Sequence, residues 1–85
     1  MRNDGEFMPG LVLPPAYQAA LCKRLVDIER ASSAANCLIA QARAQGMVEC
    51  LETLTHGIAD GHIERLYVLI EQATTARLLE LESLL

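Results

Sequence analysis

Aromatic rings are scarce in this chain: Phe, Trp and Tyr make up 4% of its 85 residues, and Trp is absent altogether. Hydrophobic residues still reach 52%, so any core is built from Leu, Ile, Val and Ala. That is the composition of packed helices rather than of a β-sandwich, whose strands favour aromatic and β-branched residues. The class expected is all-α. Proline and glycine are also few, three and five respectively, and apart from Gly46 they gather near the amino terminus and around residues 57–61. Long stretches therefore contain nothing that breaks a helix. Cys22, Cys37 and Cys50 are odd in number and form no CxxC pair, which argues against a disulfide framework and fits a reducing compartment.

No apolar run approaches the roughly 18 residues of a membrane span. The first residues carry Asp4 and Glu6 where a signal peptide needs basic charge. A cytoplasmic protein is expected. Basic residues are outnumbered, seven against eleven acidic, for a formal charge of −4. Such a field repels phosphate, and Arg2, Lys23, Arg24, Arg30, Arg43, Arg65 and Arg77 are scattered rather than clustered on one face. Neither a nucleic acid nor a membrane is expected as a partner.

What the chain does have is apolar surface. Residues 1–14 hold Gly5, Pro9, Gly10 and Pro14, which rules out a helix and predicts an extended arm. Leu11, Val12 and Leu13 are the residues expected to dock that arm on the helices or on a neighbouring subunit. Residues 15–85 read as one helical domain. Pro15 suits a first helical turn, and no Gly or Pro follows until Gly46, so one long helix of about 45 Å is predicted. Leu21, Leu25, Ile28, Ser32, Ala35, Ile39 and Ala42 recur along it at spacings of four and three, a seam for one partner helix. The small residues Ala31, Ser32, Ser33, Ala34 and Ala35 lie at its centre, where they favour close approach or simple helix formation. Gly46 either ends this helix or is tolerated in it, and the pattern of Met47, Val48, Leu51 and Leu54 carries on to about Thr55.

His56-Gly57-Ile58-Ala59-Asp60-Gly61 is the clearest break, with Asp60 placed to cap the next helix. On that last helix Ile63, Leu66, Tyr67, Ile70, Ala73, Thr74, Leu78, Leu81 and Leu85 form a core stripe, which Val68, Leu69, Leu79 and Leu84 widen. Leu66-Tyr67-Val68-Leu69-Ile70 is apolar all round, and so short a chain has few elements to cover it. Antiparallel neighbours joined by a short connector give a helical hairpin or three-helix unit. Two such units pair into a dimeric helical bundle, a C2 homodimer being the commonest soluble oligomer. Leu66, Leu69, Ile70 and Leu81 are the residues expected at the self-association seam.

Residues with chemistry of their own are few. Cys50, His56 and His62 match no compact zinc spacing. Cys22 and Cys37 have no histidine or acid placed to activate them, and Lys23, Arg24, Asp27, Glu29 and Arg30 pair as solvated helix charges. Arg77 falls near the apolar stripe, where it must snorkel outward or pair with an acid such as Glu80. No catalytic set, metal or cofactor is expected.

The run Gly10-Leu11-Val12-Leu13-Pro14-Pro15-Ala16 before a long helix, with His62-Ile63-Glu64-Arg65 opening the last one, resembles the TraM-type quorum-sensing antiactivators. That resemblance implies a small cytoplasmic helical dimer that binds and silences a transcription factor. Cys37-Leu38-Ile39 with Leu66-Tyr67-Val68-Leu69-Ile70-Glu71 is similar to an uncharacterised family of small bacterial proteins. The expected function is a homodimeric interaction module that regulates or inhibits another protein. The alternative is a bundle that encloses a small ligand or acts as a mutase-like enzyme, with Arg77, His62 or Tyr67 lining its cavity.

Overall fold

Pro15, whose fixed φ suits a first helical turn and whose missing N–H costs nothing there, opens helix α1, Pro15–Glu29. The computed structural model describes residues 6–8, 10–54 and 60–84. In it α1 is succeeded by α2, Ala34–Leu54, and α3, Asp60–Ser83. A short antiparallel hairpin, β1 at Glu6–Met8 and β2 at Leu11–Val12, precedes them. The protein is all-α apart from that hairpin.

The hairpin replaces the single extended arm. Glu6 stands opposite Val12 and Met8 opposite Leu11, with a register irregularity between the two pairs. Gly10 makes the reversal possible: its φ is 81°, a region that side chains with a Cβ rarely adopt. A Cβ there would also lie 3.4 Å from Nε2 of His62. By reversing, the segment pairs its own backbone groups, which a lone strand leaves to water.

One expectation about the helices is corrected and one alternative is decided. The continuous helix from Pro15 to Gln45 is broken at residues 30–33, and α2 passes straight through Gly46. Ser33 explains the first. Its Oγ accepts the Asn36 N–H at 3.1 Å, the bond of an N-cap to the third helical residue, and Asn36 Nδ2 donates to Ser32 Oγ at 3.2 Å. Serine hydroxyls compete for backbone N–H groups, so the Ser32-Ser33 pair favours a new helix start over an old helix interior. Gly46 costs α2 about 1 kcal/mol relative to Ala, but Val48 and Leu51 beyond it are buried and hold the helix in place. α3 begins one residue ahead of the expected Gly61. His56 and the capping expected of the Asp60 side chain lie outside the described residues and atoms.

The three helices run up, down and up, each packed on the other two. Tyr17 near the start of α1 reaches Met47 late in α2, and Cys37 early in α2 reaches Thr74 late in α3. The core contains Leu21 and Ile28 from α1, Cys37, Ala40, Ala44, Val48 and Leu51 from α2, and Ile63, Leu66 and Ile70 from α3. Phe7, Met8, Leu11 and Leu13 of the hairpin segment join the same cluster. The expected seam survives only in α1. Its α2 half points away from the core, Ile39 being 52% exposed, because the break at residues 30–33 changes the rotational phase of α2 relative to α1. The radius of gyration, 13.4 Å, exceeds the roughly 12 Å of a globule of this length, as expected for helices laid side by side.

This packing sets the expected outcome of three substitutions. A Cβ at Gly46 would meet nothing within 4 Å, so Gly46→Ala should raise stability by about 1 kcal/mol and the melting temperature by about 4–8 °C, read by circular dichroism. Leu13→Ala should lower stability by about 2–5 kcal/mol, whereas Val12→Ala should change it by less than about 0.5 kcal/mol, both read by urea denaturation.

Candidate functional site

The polar groups inside the bundle are engaged with the bundle itself. Arg77 donates from Nε to the Ala31 carbonyl at 2.9 Å, and its Nη1 lies 3.6 Å from Oε1 of Glu80. The pairing with Glu80 was one of two options open to a stripe arginine. The bond to Ala31 was not foreseeable, because that carbonyl becomes available only where the helix breaks. Thr74 is buried and donates to the Ile70 carbonyl of the preceding turn at 2.9 Å. The Cys37 thiol points at the Thr74 carbonyl, 3.8 Å away. Burial pushes that thiol's pKa up, with partial opposition from the Arg77 guanidinium, the reverse of what a nucleophile needs.

Tyr17 donates its hydroxyl to the Met47 carbonyl at 2.6 Å. Burial, with smaller contributions from Cys50 and Tyr67, pushes its pKa up to about 12. Tyr67 donates to Oε1 of Glu52 at 3.4 Å, and burial together with the charges of Glu52 and Glu49 raises its pKa too. Among the described residues no buried side-chain nitrogen or oxygen lacks a partner, and no three His, Cys, Asp or Glu side chains gather as metal ligands would. Among those residues no helix is long and apolar enough to cross a membrane.

The residues expected at the dimer seam divide. Leu66 and Ile70 are each 1% exposed within a single chain, so their side chains cover α1 and α2 and have no surface to offer a second copy; that assignment is corrected. Leu69 and Leu81 are partly buried at the edge of the core. Of the arm residues, Leu11 and Leu13 are buried and Val12 faces solvent, as the alternation of a strand requires.

The apolar surface that remains lies elsewhere. Leu38 and Ile39 on α2, and Val68 and Leu79 on α3, are each about half exposed or more. On α3 the outward residues Val68, Gln72, Thr75 and Leu79 obey the i, i+4, i+7, i+11 rule of one helix face, and they line a shallow depression with Glu71 and Ala76. The signal for this second face was present in the surplus positions Val68 and Leu79, which widen the core stripe. No protein-family model matches this chain, and neither does a curated protein or a solved structure.

The phenol of Tyr17 holds its proton more tightly in the folded chain than at its ordinary value of 10.0. Its contribution to stability is therefore complete below pH 10 and is lost as pH rises from 10 toward 12. Tyr17→Phe should cost about 1 kcal/mol at neutral pH and show a shallower alkaline fall than the wild-type chain, read by urea denaturation at pH 7 and pH 11.

Proposed function

We propose that this chain is a helical protein-interaction module of the cytoplasm, which acts as a homodimer, binds another protein and regulates or inhibits it. One observation carries the reading: large apolar side chains remain on the outer faces of α2 and α3 after the core is complete, and contiguous apolar surface on a small domain marks an interface. The polar interior supports a binding protein rather than an enzyme. Tyr17, Cys37, Thr74 and Arg77 all bond backbone carbonyls of the fold. The ligand-enclosing alternative loses Arg77 as a cavity residue for the same reason. The resemblance to TraM-type antiactivators, also small helical dimers, agrees with this reading.

Self-association is assigned to the outer face of α2. There Leu38, Ile39 and Ala42 are exposed on one side of the helix, and Leu66 and Ile70 are no longer candidates. Sedimentation equilibrium should give twice the chain mass for the wild type and the single-chain mass for Ile39→Asp, with unchanged helicity. Leu66→Asp should instead unfold the protein. A wild-type chain that stays at monomer mass removes the homodimer. Affinity capture from extract of the source cells in reducing buffer should retain one protein near stoichiometry, and return of the chain alone removes the regulated partner.

A further inference from the structure

At about 100° per residue, Glu64, Glu71 and Glu82 fall within about 20° of one another around α3, and all three are exposed. They form one edge of the outer face of α3, on which the apolar Val68 and Leu79 are exposed with Gln72 and Thr75 between them. Tyr67 lies near the same edge and bonds Glu52 of α2, so the edge borders α2. There Glu49 and Glu52, both exposed, add to the negative charge. Neither ion pair among the described residues, Arg24–Asp27 or Arg77–Glu80, uses any of these glutamates. Of the two arginines on α3, Arg77 is tied inward to Ala31 and Arg65 falls on the opposite edge.

We propose that this acid-edged face of α3, with Val68 and Leu79 as its apolar contacts, is the docking site for an amphipathic helix of a partner protein, one whose apolar stripe is bordered by Lys or Arg. The inference rests on the reading of the chain as an interaction module and supplies the chemistry of the partner. An amphipathic helix presents its apolar anchors at i, i+3, i+4 and i+7 on one face, and complementary charge at the rim sets orientation and rejects wrong partners. A second copy of this chain packed antiparallel is the poorer occupant, because about a two-fold axis the like edges then meet, which sets Glu64, Glu71 and Glu82 against their own copies.

The test is fluorescence anisotropy of a labelled synthetic helical peptide of about 18 residues, matched to the roughly 27 Å from Glu64 to Glu82, titrated with the full chain at low salt. One peptide carries Leu at i, i+4, i+7 and i+11 with flanking Arg; a second has Glu in place of each Arg. The Arg peptide should bind at least tenfold more tightly than the Glu peptide, and less tightly as salt rises. The surface double variant Glu64→Arg/Glu71→Arg should weaken the Arg peptide tenfold or more and strengthen the Glu peptide, while Leu79→Ser weakens both. Circular dichroism checks that each variant is folded, and Ile39→Asp should leave the binding intact. No binding of the Arg peptide, equal binding of the two peptides, or indifference to charge reversal overturns the proposal. A chain that fails this test but still captures a protein loses this docking site and keeps its role as an interaction module. A chain that does neither loses both.

Discussion

The architecture depends on a reversal of direction at residues 30–33, held from two sides. From within, Ser33 caps the start of α2 through the Asn36 N–H. From across the bundle, Arg77 reaches back from α3 to the Ala31 carbonyl. A carbonyl in the connector between two helices has no partner in either helical ladder, and a guanidinium is a good donor to it. Without the reversal, α1 and α2 would be one rod with its apolar residues divided between two faces and only α3 to cover them. With it, the chain folds back twice, and Cys37, Ala40, Ala44, Val48 and Leu51 meet Leu21, Ile28, Leu66 and Ile70 in one core.

That core is built with few aromatic rings, and small residues help its aliphatic side chains to pack closely. Ala40 and Ala44 on the inner face of α2 are 8% and 0% exposed and let the neighbouring helices approach closely, so that aliphatic side chains make dense contacts without rings. The hairpin then covers part of the bundle with Phe7, Met8, Leu11 and Leu13. For a chain of this size the extra burial matters, because small domains bury a lower fraction of their surface than large ones. The same economy explains the polar interior. A buried hydroxyl, thiol or guanidinium must find a partner, and in this bundle the partners are backbone carbonyls, which leaves those groups structural.

The apolar surplus of the chain consequently lies on the outside. α2 and α3 are apolar beyond what one core can absorb, and the surplus emerges as two faces with different surroundings. The α2 face is centred on Leu38 and Ile39. The α3 face is bordered by the exposed carboxylates of Glu64, Glu71 and Glu82. The dimer contact proposed for the first and the partner contact proposed for the second would occupy separate helices.

The amino-acid sequence by itself determined the class, the start of α1 at Pro15 and the inward stripe of α3 from Ile63 through Thr74. Composition, a proline at a helix start and a 3.6-residue period are local signals that need no knowledge of the rest of the chain. It hid the break at residues 30–33 and left Gly46 undecided, because a serine cap and a tolerated glycine are each worth only about 1 kcal/mol, too little to outweigh what packing adds. Ser32-Ser33 ends a helix and Gly46 does not, since the residues beyond each bury themselves best that way. The same competition determined the fate of the all-apolar run. Leu66 and Ile70 became core once α1 and α2 folded over them, while Val68, on the same turns, stayed on the surface. A helix's period tells which residues share a face, but which face is covered depends on the other helices, and their placement is a tertiary outcome.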